Sequence, residues 1–254
     1  MIHEVCLITK IEAVNPTITK IKFQSQFIAN SAKEGQFVNI RIDETSVPLL
    51  RRPFSIYYTT DKEVEIVFGI MGMGTNKLNH KQVGDTLDVI GPLGKPFNLD
   101  DGEDISILVG GGLGAAPLPM LYRSLQQKNK QTVIFLGARN KNYLLKNYLQ
   151  ASYISTDDGS EGYKGNIVTL LENYLSKSPK KNYKIYACGP TQMLIELIKV
   201  ANKYKVKCEV SLETMMACGI GICQGCAVKY KNSTKKYALS CVDGPIFNAN
   251  DIEL

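Results

Sequence analysis

The chain has 254 residues, 44% of them hydrophobic, long enough for one large or two ordinary domains and apolar enough for packed cores. Its formal charge of +6 comes from lysines scattered along the chain. Even the local concentration from Lys177 to Lys184 is broken by Ser, Pro, Asn and Tyr, so the pattern describes a solvated surface and excludes a concentrated nucleic-acid footprint.

The first residues, Met1 to Val5, have no basic segment leading into a long apolar core, so no secretory signal and a cytoplasmic location are expected. From residue 1 to about 100, period-two or β-rich runs recur at Val5 to Ile11, Ile18 to Phe23, Phe37 to Ile42, Val64 to Phe68 and Thr86 to Ile90. Turn residues separate them and no long amphipathic helix intervenes, which predicts a small antiparallel β-barrel. After Asp100-Asp101-Gly102-Glu103-Asp104, a hinge-like stretch, apolar strands alternate with helical segments. The expected strands are Ile105 to Val109, Thr132 to Leu136, Tyr153 to Ser155 and Tyr183 to Ala187. The expected helices lie around Pro117 to Gln127, Ile167 to Leu175 and Thr191 to Tyr204. That rhythm predicts an α/β domain with a parallel sheet and ligands at the carboxyl ends of its strands. The stretch Ile105 to Tyr122 has no charge over 18 residues, but Gly110, Gly111, Gly112, Gly114, Pro117 and Pro119 spoil a continuous membrane helix. From about Leu212 the chain becomes Cys- and Gly-rich, too short to fold on hydrophobic burial alone.

Several loops carry chemistry. Arg51-Arg52-Pro53-Phe54-Ser55 places guanidinium, aromatic and hydroxyl groups at a strand start, suited to a phosphate and a flat ring; a surface Arg pair beside a core Phe is the alternative. In Gly72-Met73-Gly74-Thr75, Thr75 can cap a short helix that would accept an anion, or mark an ordinary capped turn. Gly110 to Pro117 joins a strand to a helix where a pyrophosphate can meet free N–H groups, although glycine turns also serve tight packing. Pro117 suits the first helical position. Cys188-Gly189-Pro190 ends an apolar strand at the ligand-facing edge of the expected sheet. Arg139, past another strand, can meet a 2′-phosphate or simply be solvated. His3 and His80 read as isolated surface residues, Cys6 and Cys208 as small buried hydrophobes.

The chain has seven cysteines, four of them in its last 37 residues. In a reducing compartment this favours metal ligation over disulfides. Cys218-x4-Cys223-x2-Cys226, with Cys241 after fourteen intervening residues, has the spacing of plant-type 2Fe-2S sites. Three ligands from one loop and a lone fourth differ from the paired hooks of zinc sites, and buried structural cysteines are the remaining alternative. Gly219, Gly221 and Gly225 let such a loop wrap closely.

These motifs together resemble the ferredoxin reductase-like flavoproteins and, within them, the family of electron-transfer subunits of type B dihydroorotate dehydrogenase. The resemblance covers nearly the whole chain and is most specific from Ser211 to Phe247. It implies three domains: an FAD-binding β-barrel (1–100), an NAD-binding α/β domain (101–210) and a small C-terminal 2Fe-2S cluster domain (211–254). Flavin contacts are implied for Arg52, Pro53, Phe54 and Ser55, for Val67, Phe68 and Gly69, and for Gly74 and Thr75. Nucleotide contacts are implied for Gly111, Gly112, Gly114, Gly189 and Pro190, with Cys188 lining the catalytic pocket. Cluster ligation is implied for Cys218, Cys223, Cys226 and Cys241. Phe54 stands where many relatives have Tyr, and Gly69 and Met215 where a charged residue is usual. The implied activity moves electrons between NAD(H) and the FMN of a dihydroorotate dehydrogenase catalytic subunit, in a heterotetramer of two of each chain, with neither nucleic acid nor membrane involved. A flavin subunit of a related complex, such as a ferredoxin:NADP oxidoreductase or sulfhydrogenase, and a non-catalytic iron-sulfur sensor are the other readings.

Overall fold

The computed structural model describes residues 1–45, 47–100, 102–177, 181–231 and 234–254. Asp101 of the expected hinge, and residues 178–180 of the lysine-rich stretch, lie outside the described residues.

Six strands close into an antiparallel barrel: β1 (Ile2–Asn15), β2 (Ile18–Gln24), β3 (Phe37–Arg41), β4 (Arg52–Thr59), β5 (Glu63–Gly69) and β6 (Thr86–Leu93), in the order β1-β2-β5-β4-β3-β6. Two short helices, α1 (Gln26–Ser31) and α2 (Met73–Asn79), bury Ile28 and Leu78 in its core. Alternation drives the closure, since every second residue of β1, β3 and β4 points inward; Ile8, Ile21, Phe23, Ile40, Ile56 and Ile66 are wholly buried. Strand β4 begins at the Arg-Pro-Phe-Ser motif, which the sequence placed at a strand start.

The second unit is a seven-stranded sheet. It comprises β7 (Ile105–Gly111), β8 (Gln131–Ala138), β9 (Tyr153–Thr156), β10 (Tyr163–Lys164), β11 (Tyr183–Cys188), β12 (Lys207–Ser211) and β15 (Ile246–Asn248), in the order β10-β9-β8-β7-β11-β12-β15. All neighbours are parallel except β12 and β15. Helices α3 (Leu118–Gln127), α4 (Ile167–Lys177) and α5 (Thr191–Lys203) supply the crossovers. Strand β7 is buried at every position, as a central parallel strand covered on both faces must be. The charge-free stretch from Ile105 therefore divides into a strand, a 3₁₀ turn at Gly112–Ala115 and the start of α3. No helix among the described residues is long and apolar enough to cross a membrane.

The segment after Ser211 holds a small hairpin, β13 (Ala227–Lys229) with β14 (Tyr237–Leu239), before β15 joins the large sheet. This segment is therefore stitched to both units. Pairing of β15 with β12 ties it to the sheet, and Lys95 N–H donates to Gly244 O at 2.5 Å from the barrel side. Barrel and sheet also share one apolar core in which Ile18, Tyr57 and Val67 meet Leu108, Leu118 and Tyr186. Arg123 of α3 donates to the Thr59 carbonyl at 2.5 Å and to its hydroxyl at 2.8 Å.

Candidate functional site

The sheet's strand order reverses between β7 and β11, and β7 is followed by a helix that crosses to β8 on one side while β11 leads to β12 on the other. Such a switch point leaves a crevice at the carboxyl ends of the strands. A cavity of about 730 Å³ occupies it, lined by Gly111, Gly112 and Gly114, by Gly137 to Arg139, by Ser155 and Asp157, and by Gly189 and Pro190. All five glycine and proline positions expected to meet a nucleotide are thus brought to one wall. The close approach of the two loops accounts for part of that pattern. A Cβ on Gly114 would lie 2.5 Å from the Cα of Gly189, so these backbones touch only because residue 114 is glycine, while a Cβ on Gly189 would meet Met193 at 2.4 Å. Gly112 is different, with φ +54 and open space where a side chain would stand. Pro117 caps α3 from just outside rather than occupying its first position. Arg139 lines this cavity with its guanidinium 4.7 Å above the Tyr143 ring.

A second cavity, about 250 Å³, lies where the barrel meets the sheet. Pro53, Phe54 and Ser55 of β4, Val67, Phe68 and Gly69 of β5, and Thr75 of α2 form one side, with Gly114 and Cys188 opposite. Phe54 is buried, its ring 5.5 Å from that of Phe68. Gly69, Met71, Leu113, Gly114 and Glu213 border both cavities, so the two are contiguous. Arg52 and Gly74 stand beside this cavity rather than in its wall. They are neighbours, since a Cβ on Gly74 would come within 3.2 Å of Arg52 Nε, and Arg52 donates to Leu50 O at 2.6 Å. Thr75 does not cap α2 as expected. Gly72 occupies the cap, and Thr75, three residues in, accepts from the Met71 and Gly72 N–H groups at 2.9 and 3.2 Å.

Cys188 is buried at the end of β11. Burial, reinforced by the Glu213 charge and only partly opposed by Ser211, pushes its thiol up to about 12, so it is neutral across the physiological range. Glu213 is exposed to the cleft it lines, and partial desolvation by the cleft walls raises its carboxyl above the usual range. Thr214 also lines the smaller cavity, and its buried hydroxyl oxygen has no partner among the described residues.

The four late cysteines gather beyond the smaller cavity as two pairs. Cys226 and Cys241 are buried with their sulfurs 3.2 Å apart. Cys218 Sγ accepts from the Cys223 and Ile220 N–H groups at 3.4 and 3.5 Å. Burial raises the Cys218 thiol, but these backbone donors outweigh it and pull it down to about 6. Cys241, where burial and the neighbouring Cys226 act together, is pushed up to about 12. Among the described residues no three Cys, His, Asp or Glu side chains converge as the ligands of a single ion. A two-and-two arrangement suits instead a binuclear cluster, in which four thiolates are shared between two irons. Phe37 of β3 and Met216 both line the smaller cavity and belong to the apolar cluster that contains Cys226 and Cys241, so cavity and buried sulfurs share these side chains. Phe37, Met71, Glu213 and Thr214 belong to the site but were not singled out from sequence. Phe37 reads as one more strand residue, while Glu213 and Thr214 fall within the Ser211 to Phe247 stretch where the resemblance is most specific. His3 pairs with Asp88 at 2.7 Å and His80 with Asn76 O, both away from the cavities.

Comparison with known proteins gives concordant matches. Residues 213–253 match a model described as the iron-sulfur cluster binding domain of dihydroorotate dehydrogenase B, and residues 108–198 an oxidoreductase NAD-binding domain. A "Dihydroorotate dehydrogenase B (NAD(+)), electron transfer subunit" from Desulforamulus reducens is 37% identical over 246 residues, covering 92% of both chains. Its counterpart of the same name from Fusobacterium nucleatum is 35% identical over 244 residues, again 92% of both. Among solved structures, a chain of the NADH-dependent reduced ferredoxin-NADP oxidoreductase aligns with a TM-score of 0.84 at 29% identity, covering 98% of this chain and 90% of that one.

Proposed function

Since this chain belongs to the family of dihydroorotate dehydrogenase B (NAD(+)) electron transfer subunits, we propose that it carries electrons between a dihydroorotate-oxidising partner and NAD(H) through a 2Fe-2S cluster and FAD. The chain is an oxidoreductase subunit with an NAD-binding and an iron-sulfur domain, and its work serves pyrimidine biosynthesis. The domain limits we assign are 1–100 for FAD, 101–210 for NAD and 211–254 for the cluster. The partner holds FMN, and the complex contains two of each chain.

One observation carries this reading: the larger cavity, the smaller cavity and the cysteine pairs lie in series, joined first by shared walls and then by Phe37. The larger cavity suits a dinucleotide, with Gly111, Gly112, Gly114, Gly189 and Pro190 at its phosphates. The smaller suits a flavin ring against Pro53, Phe54, Ser55 and Val67 to Gly69, with Arg52, Gly74 and Thr75 toward its phosphates. The buried, unpartnered Thr214 oxygen fits a polar ligand edge there. Cys218, Cys223, Cys226 and Cys241 would hold the cluster. Bound FAD supplies the conversion between two-electron hydride chemistry and single-electron transfer. The chain's own residues bind and align. Gly69 and Gly114, lacking side chains, keep the two cavities open to each other, and Cys188 offers a neutral, apolar wall at the junction.

The test is to purify the chain with its cofactors and assay it alone and with an FMN-bearing partner. Alone it should reduce an artificial acceptor with NADH and fail to oxidise dihydroorotate. With the partner it should support dihydroorotate-dependent NAD+ reduction. Turnover of dihydroorotate by the chain alone would defeat the reading, as would a purified chain carrying neither flavin nor iron.

A further inference from the structure

Asn39 is wholly buried, yet it belongs to neither cavity wall. It lies on β3, two residues from Phe37 and therefore on the same face. In the barrel it pairs with Pro53, within the Arg-Pro-Phe-Ser motif of β4. Across the gap its Nδ2 donates to the Cys218 carbonyl at 3.1 Å. The cysteine loop comes so close here that a Cβ on Gly219, at φ +73, would stand 2.5 Å from Asn39 Nδ2. The Asn39 backbone is itself braced, because Arg51 donates to its carbonyl at 3.4 Å while holding Asp88 at 2.7 Å. Arg51, the half of the arginine pair that does not approach Gly74, thus stiffens the strand from outside.

Resting on the cofactor reading above, we propose that Asn39 is a positioning residue that couples the flavin site to the cysteine loop, clamping Cys218 against the strand that carries Phe37. A role in stability alone explains the residue poorly. Its Oδ1 is buried and has no hydrogen-bond partner among the described residues, and a leucine of similar volume would remove that unsatisfied oxygen. The amide earns its place through the bond it donates. Partners one shell beyond a metal's ligands orient those ligands and tune the metal's potential. Here the bond ends on the backbone of a ligand, and the same strand faces the flavin cavity, so one side chain fixes both the separation of the two sites and the set of the loop.

The test compares the full chain, loaded with FAD and cluster, with Asn39→Leu and Asn39→Asp; the second keeps the shape and an acceptor but loses the donor. Under anaerobic mixing with NADH, the rate of flavin bleaching should be unchanged in both variants, while the later cluster-reduction phase slows by about 10- to 100-fold. The cluster's electron paramagnetic resonance spectrum and midpoint potential should shift with it, which a role in folding alone would not produce at full cofactor content. Loss of iron with FAD retained in Asn39→Leu also supports the clamp. Should that variant fail to fold, Asn39→Asp decides. Either variant, fully loaded, with parental spectrum, potential and both rates would overturn the proposal. A parental chain lacking flavin or iron would overturn the functional reading instead.

Discussion

Cys223 is the one exposed cysteine of the four, and its side chain lines neither cavity. Replacing it with serine removes a thiolate without disturbing the walls around Phe54 and Phe68. Cys223→Ser should therefore abolish the visible 2Fe-2S spectrum and leave FAD bound; an intact cluster spectrum would refute the ligand set. Arg52 poses the complementary case. Its guanidinium stands against Gly74 at the start of α2, where a charge-assisted bond to a phosphate is worth about 1.5–3 kcal/mol. Arg52→Ala should raise the FAD dissociation constant by roughly ten- to a hundredfold, since each 1.4 kcal/mol is tenfold, with the cluster spectrum intact. Flavin titration checks this, and unchanged retention after dialysis would count against the motif. At this same scale the structure corrected one assignment, because Thr75 serves α2 from its third position and Gly72 takes the cap.

Among the elements, the cysteine segment separates residues that sequence alone could not sort. Ile222, Val242, Ile246 and Phe247 all lie near the ligands, and each suits either a core or a docking face. Ile246 and Phe247 belong to β15 and are buried, held by its pairing with β12, whereas Ile222 is 76% and Val242 42% exposed. A side chain that already faces solvent can become charged without harming the fold. Ile222→Glu should leave NADH-dependent dye reduction intact and abolish the activity coupled to the FMN partner. Phe247→Ala, by contrast, should lower thermal stability, with a core truncation of this kind costing about 3–5 kcal/mol. Equal coupled activity in Ile222→Glu and the parent would remove this face from the partner interface.

For the molecule as a whole, the shared core makes barrel, sheet and cysteine segment parts of one packing problem, and weak acids elsewhere in the fold, the buried Cys6 and Cys188 and the partly exposed Tyr148, are held protonated by their surroundings. Burial pushes the Cys6 and Cys188 thiols to about 12, and burial with the Glu65 hydrogen bond does the same to the Tyr148 hydroxyl. These groups are neutral when protonated, and their folded values lie above the unfolded ones of about 8.5 for Cys and 10 for Tyr. Their contribution is thus complete below the unfolded values and is lost as pH climbs toward the folded ones, because the unfolded chain ionises first. Thermal unfolding should hold steady near neutrality and then fall progressively from about pH 9 upward. Cys188→Ala should flatten part of that decline. A midpoint that stays constant up to pH 11 would contradict the upward shifts of the two buried thiols and of Tyr148.

What the sequence determined by itself was whatever short-range chemistry writes. Period-two runs announced five of the six barrel strands, with β4 marked only by its opening motif, and alternating apolar runs and helices announced four strands of the sheet and its parallel order. The spacing of Cys218, Cys223 and Cys226 announced a cluster loop, because ligand geometry and backbone reach confine those residues to a few positions of one segment. Tertiary structure decided what distant segments do to one another. Asn39 and Cys218 are 179 residues apart and meet in one hydrogen bond. Phe37 came to line the smaller cavity and to share an apolar cluster with Cys226 and Cys241, and β15 left the cysteine segment to complete the large sheet. Nothing local in those stretches marks such roles, since an inward strand residue looks alike whether it faces core, cofactor or cluster. Its partner is chosen only when the chain closes, by the shape and burial of the surfaces brought together.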